Sequence, residues 1–134
     1  MLAEGPLVLI FFRFATCPAC NIAIPHYSRN LAPRLRELGA RLVAVSPQIP
    51  ERLVDIKRKH DLDMTIATDW DNRLARHFGI LYTYDEDSQR LALAGGAPIG
   101  EVTGTGTWEL PMPTLDRDRP GRRREIRRCT PRLA

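Results

Sequence analysis

The sequence predicts a single α/β domain built on a mostly parallel sheet with helices on its faces. Three observations lead there: short continuous apolar runs that suit strands buried on both sides, stretches of helical periodicity between them, and a proline or glycine at most junctions. The length of 134 residues fits one domain. Hydrophobic residues at 43% and charged residues at 27% are in the ordinary globular range and exclude wholesale disorder.

The elements follow in order. Residues 7–14, "LVLIFFRF", are rich in Val, Ile and Phe behind a Gly-Pro and predict the first strand. From Pro18 to Leu38 the apolar residues Ile24, Tyr27, Leu31, Leu35 and Leu38 recur at helical spacing, with Gly39 as a stop. Pro25 and Pro33 must kink or divide that helix, because each removes a backbone donor and collides with the preceding turn. "RLVAVSP" predicts a second strand, and "PERLVDIKRKH", opened by Pro50, a second helix. "MTIATD" predicts a third strand, and "DNRLARHFG" a helix capped by Asp71, packed through Leu74, Ala75 and Phe78, and stopped by Gly79. The order β-α-β-α-β-α calls for parallel strands with helical crossovers.

After Ile80 the pattern loosens into a Gly-, Thr- and acid-rich stretch that predicts an irregular excursion. "TGTGT" (103–107) has neither a feeding strand nor a following helix, so its glycines predict turns rather than a phosphate loop. From Asp116 onward eight arginines face three acidic residues, which more than accounts for the chain's net charge of +4 and leaves the body near neutral. Basic charge confined to one end does not make the basic folded face of a nucleic-acid-binding domain. Residues 1–115 are therefore expected to form the domain and 116–134 an arginine-rich, disordered tail, since Ile126 and Leu133 alone could serve a strand after Leu115. No apolar stretch approaches the roughly 20 residues of a membrane-spanning helix, and "MLAEGPLVLIFFR" lacks a basic leader and a cleavage site. With three cysteines, two of them in C-x-x-C, the expectation is a cytoplasmic protein in a reducing compartment.

"TCPAC" carries the chemistry. A cysteine in the first turn of a helix faces unpaired amides and the positive end of the helix dipole, so its thiolate is stabilised. Cys17 is thus a candidate nucleophile, and Cys20, three residues on, is placed to resolve the mixed disulfide or sulfenic acid that Cys17 forms. Pro18 presets the first helical turn without sacrificing a needed donor. Two other readings compete: half of a zinc site, which lacks a second ligand pair among His26, His60, His77 and Cys129, and two inert core cysteines. Arg13 either adds positive charge beside Cys17 or is a solvated strand-end residue. The Thr16 hydroxyl is a candidate hydrogen-bond donor to the Cys17 sulfur. Trp108 is expected to pack under the active-site loop, and His26 and His77 to be exposed helix residues.

Taken together, "GPLVLIFFR" leading into "TCPACN", then "LGARLVAVSPQ", "ATDWDNRLARHFGI" and "WELPMPT" resemble the peroxiredoxin-like branch of the thioredoxin-fold superfamily, the alkyl hydroperoxide reductase and thiol-specific antioxidant family. The resemblance spans most of Gly5 to Thr114. It implies a thioredoxin-like fold with a mixed sheet, here with an incomplete C-terminal part. It implies an enzyme that reduces hydroperoxides, with Cys17 peroxidatic, Cys20 resolving, and Pro113, before Thr114, a cis-proline facing them. Pro25 would be the kink proline of the active-site helix. It further implies an external thiol donor such as a thioredoxin-like reductant, no metal or organic cofactor, no nucleic acid and no membrane, and it is compatible with a homodimer. Typical peroxiredoxins carry P-x-x-x-[T/S]-x-x-C, whereas Ile10 and Phe14 hold those places here. A protein-disulfide reductase and a truncated, catalytically degenerate redox-fold protein remain the alternatives.

Overall fold

The structure, a computed structural model, describes residues 5–118 and 125–128. β1 (Leu7–Phe11) lies at the centre of a five-stranded sheet. It pairs in parallel with β2 (Arg41–Ser46), which pairs in parallel with β3 (Thr65–Thr68). On its other side β6 (Thr114–Asp118) runs antiparallel to β1, and β7 (Glu125–Arg128) antiparallel to β6. The sheet is mixed, in the order β3-β2-β1-β6-β7.

The unbroken apolar runs of β1 and β2 have a plain cause: both faces of the sheet are covered. Val8, Ile10, Leu42 and Ala44 enter one cluster with Ile24, Leu53 and Ile56. Leu7, Phe11, Val43 and Val45 enter the other with Ala75 and Ile80. Residues alternate between faces because successive strand side chains point opposite ways. Full burial of a side chain such as Phe11 or Ile24, each 1% exposed, contributes about 1.5–3 kcal/mol.

The long helix predicted over 18–38 is two helices, α1 (Pro18–Asn30) and α2 (Ala32–Glu37). Pro25 lies within α1, and the division falls at Leu31, where Pro33 enters the first turn of α2 without needing its missing donor. Gly39, at φ 71°, ends α2 and turns the chain into β2. α3 (Pro50–His60) follows as expected. A 3₁₀ turn at Trp70–Asn72 and α4 (Arg73–His77) replace the helix predicted at 71–79. Asp71, at φ 55°, does not cap α4: Asn72 holds the N-cap position, and the free amides are capped by the side chain of buried Asp69, whose two carboxylate oxygens accept from Leu74 N and Ala75 N at 2.9 Å each. Ala75 is buried and Phe78 packs edge-on to Phe11, whereas Leu74 faces outward.

The stretch read as irregular is ordered. β4 (Leu81–Thr83) pairs antiparallel with β5 (Glu109–Pro111), and between them lie α5 (Glu86–Ala94) and α6 (Ile99–Thr103). Asp85 caps α5, accepting from Ser88 N at 2.8 Å. α5 buries none of its residues, so it lacks the apolar face that sequence periodicity detects. "TGTGT" does form turns: Gly104 and Gly106 take φ 82° and 73°.

The expected absence of strands beyond Thr114 is also corrected. β6 crosses the boundary drawn at 115, and β7 lies wholly beyond it. Backbone pairing to β1 supplies the ladder, so an apolar sequence is not required. Met112–Pro113 is trans, where the resemblance implies cis, for there is no cis bond among the described residues. Trans is the lower-energy form for X-Pro by about 0.5–1 kcal/mol, and the chain passes from β5 into β6 with Met112 N bonded to Ile80 O at 2.8 Å. Cys129 lies outside the described residues.

Candidate active site

Cys17 is the N-cap of α1, at the point where the chain leaving β1 turns into the helix. Its carbonyl accepts the first helical bond, from Asn21 N at 3.0 Å, and its own N–H donates to Phe14 O at 3.2 Å. Pro18 occupies the first turn and is exposed. Cys20 lies one turn inside, 6% exposed against 3% for Cys17. Both thiols are free and buried.

Their environments act in opposite directions. The Cys17 thiol is lowered to about 5, first by the hydrogen bond from Cys20, with burial opposing, and then by the amides of Cys20 and Ala19 and the charge of Arg13. The Cys20 thiol is raised, first because it donates that hydrogen bond and next by burial. The two shifts favour the proton on Cys20 and the negative charge on Cys17, at the helix end.

The sulfurs border a cavity of about 240 Å³ whose walls are mainly apolar, among them Ile10, Phe12, Ala23 and Tyr27. Arg13, Pro113 and Thr114 line the same cavity, so of the seven predicted site residues five meet there: Arg13, Cys17, Cys20, Pro113 and Thr114. The Thr114 hydroxyl is spent on Met112 O at 2.8 Å. Thr16 is exposed and turned to the opposite side of the loop, and its hydroxyl does not bond the Cys17 sulfur. Trp108 is half-buried beside this region and stacks on Tyr84 at 6.1 Å. His26 and His77 are exposed on α1 and α4.

Sequence reasoning missed the residues that hold the loop. Buried Gln48 accepts from Ala15 N and donates to Val102 O, each at 2.8 Å. The Ser46 hydroxyl donates to Arg13 O at 3.0 Å. Asn21 donates to Cys17 O at 3.0 Å, and its Oδ1, which can only accept, accepts a hydrogen bond from His60 Nε2 at 2.7 Å. These contacts span from 33 to 54 positions for Ser46 and Gln48, so no local pattern announces them. Among the described residues, no group of three or more His, Cys, Asp or Glu side chains is placed to hold a metal ion. No helix among them is long and apolar enough to cross a membrane.

The sequence pattern of the AhpC/TSA family matches residues 2–97, more than half of the chain. The chain belongs to the AhpC/TSA family. That places it among thiol oxidoreductases and includes both cysteines and Arg13 in the matched region, while Pro113 and Thr114 lie beyond it. No curated protein sequence matches the chain. Among solved structures, the family member is similar to a bacterioferritin comigratory protein of Xanthomonas campestris, studied for alkyl peroxide reduction, with TM-score 0.69 and 14% identity over 93% of this chain and 69% of that one. Peroxidoxin BcpB from Mycobacterium tuberculosis gives TM-score 0.70 and 20% identity over 95% and 70%. MTB dsbF, captured in mixed oxidised and reduced forms, gives TM-score 0.57 and 18% identity over 93% and 70%. At these identities the likeness establishes the thioredoxin-like fold.

Proposed function

We propose that the protein reduces hydroperoxides through Cys17 and Cys20, using an external thiol donor in a reducing compartment such as the cytoplasm. The observation that carries this reading is the placement of the two thiols: Cys17 at a helix start with its pKa lowered, bordering an apolar cavity, and Cys20 one turn on in the same lining.

In the first step the Cys17 thiolate attacks one oxygen of ROOH. The S–O bond forms, the O–O bond breaks, and the alkoxide leaves and takes up a proton as ROH; Cys17 is oxidised to the sulfenic acid. The negative sulfur whose hydrogen bond kept Cys20 protonated is then gone, which removes the first cause of its raised pKa. Cys20 loses its proton and attacks the Cys17 sulfur, forming the disulfide and releasing water. Two thiols of the donor reduce that disulfide and are themselves oxidised. Because both sulfurs are buried, the external donor reaches the disulfide in the third step by a local loosening around α1.

Mass spectrometry after one equivalent of peroxide tests the reading. The expected product is a Cys17–Cys20 disulfide, and Cys17→Ser abolishes peroxide-dependent consumption of the donor. Failure to form that disulfide would overturn the two-cysteine route and favour a degenerate redox fold. A second reading, protein-disulfide reduction, is favoured by the absence of a hydroxyl at Phe14 and by the likeness to MTB dsbF. Insulin-disulfide reduction without peroxide turnover would establish it in place of the first.

A further inference from the structure

The side chain of Asn21 stands where α1 meets the cysteine loop, and both ends of its amide are engaged. Nδ2 donates to Ala15 O at 2.5 Å and to Cys17 O at 3.0 Å, and Oδ1 accepts from His60 Nε2 at 2.7 Å. The two ends are not interchangeable. Turned over, the amide would set its oxygen against two carbonyl oxygens and its NH2 against the Nε2–H of His60, leaving acceptors without donors. With Nε2 protonated, His60 therefore admits only the orientation in which the loop receives both donors.

His60 is itself fixed in place. It closes α3, and the next residue, Asp61, takes φ 48° and turns the chain, with Leu62 N returning to Lys57 O at 3.2 Å. Leu62 is buried, and Asp63 N donates to the buried Ser28 hydroxyl of α1 at 3.2 Å. Ile24 of α1 and Ile56 of α3, each 1% exposed, share one core cluster. The end of α3 is thus locked against α1, and a residue 39 positions from Asn21 acts on the loop through a single amide.

We propose that His60 is a positioning residue for Cys17: by fixing the Asn21 amide it ties down the Ala15 and Cys17 carbonyls, which holds the Cys17 sulfur within reach of the amides that open α1. This rests on the reading of Cys17 as the attacking thiol, whichever substrate it attacks. Cys17 sits at the N-cap with φ −64° and ψ 122°, and no side-chain hydrogen bond caps the helix there, so the first-turn amides are left to the sulfur. Its thiolate is favoured first by Cys20 and then, with burial opposing, by the Cys20 amide, the Arg13 charge and the Ala19 amide. A loop released from Asn21 drifts and loses the part that the amides supply. Arg52, Asp55 and Lys59 of α3 line the hollow that Asn21 also lines, while Arg13, Cys20 and Tyr82 are the groups acting on Cys17 from the other side.

The test is the titration of Cys17 by thiolate absorbance and alkylation rate against pH, in a Cys129→Ser background, with thermal melting by circular dichroism alongside. His60→Ala leaves α1 untouched and is expected to raise the midpoint by about half a unit, about a threefold loss of thiolate below the midpoint. Asn21→Ala shifts it as far, and the double variant no further, because the two residues form one relay. Asn21→Asp keeps the shape, removes both donors and adds a negative charge, and it shifts the midpoint furthest. His60→Gln again offers an N–H and restores most of the wild-type midpoint, whatever its melting temperature. An unmoved midpoint in His60→Ala overturns the proposal, as does a shift that follows melting temperature across the variants or that adds in the double variant. No peroxide enters the titration, so failure of the peroxide-reducing reading, seen as absent turnover with this coupling intact, is told apart from failure of the relay.

Discussion

Two sides of one loop differ sharply. On the α1 side of residues 13–17 lies the 240 Å³ apolar cavity with both sulfurs, Arg13 and Pro113. On the other lies a larger hollow of about 440 Å³ that adds polar and charged side chains, Thr16, Asn21, Gln48, Arg52, Asp55 and Lys59, to an apolar floor that includes Ile56 and Val102. The nucleophile faces the smaller, drier one, and the larger supplies the anchors. Volume alone would select the wrong side. A thiolate next to apolar walls is stabilised by what is hydrogen-bonded to it, here Cys20 and helix amides, while the polar side satisfies the loop's backbone and keeps it in place.

Removing the nucleophile has the largest effect. Cys17→Ser should reduce hydroperoxide turnover to background with the fold retained, checked by donor oxidation and circular dichroism. Cys20→Ala comes next. It removes the largest cause of the low Cys17 pKa, so the alkylation midpoint should rise from about 5. The sign follows from competition with protons: wild-type reactivity is flat above about 5 and falls about tenfold per unit below it, whereas the variant begins to fall at a higher pH. A midpoint unchanged in Cys20→Ala would show that the amides and Arg13 suffice.

Gln48→Ala attacks the polar side. It leaves Ala15 N without its side-chain partner and removes one of the two side-chain donors to Val102 O, Arg52 being the other, and should destabilise the protein by about 1–3 kcal/mol, read as a lower midpoint in denaturant. Ala23→Leu attacks the apolar side by filling part of the cavity. It should slow bulky alkyl hydroperoxides relative to hydrogen peroxide by about tenfold, as pocket volume discriminates by one or a few methylenes. Lys59→Ala, which alters only the exposed rim of the polar hollow, should change turnover less than about twofold, as surface changes away from special features do. A large loss there would move the substrate to the polar side and break the comparison.

The sequence itself carried the strands β1, β2 and β3, the helix after the cysteines and α3, because each has an apolar pattern or a proline that speaks locally. Cys17 at a helix start and Cys20 one turn later were legible for the same reason: strand, C-x-x-C and proline are neighbours in the chain. The helix start at Cys17 and the burial of both faces of β1 need no distant partner to be foreseen. Tertiary structure alone decided the rest. β6 and β7 exist through backbone pairing to β1, which leaves no apolar signature. Asp69 rather than Asp71 caps α4, because the cap is set by where two amides point after a tight turn. Gln48, Ser46 and Tyr84 reach the cysteine loop across 33, 33 and 71 positions from their partners Ala15, Arg13 and Arg13. Hydrogen bonds of that span are fixed only when the sheet brings the chain segments together, so residue type without fold could not single them out.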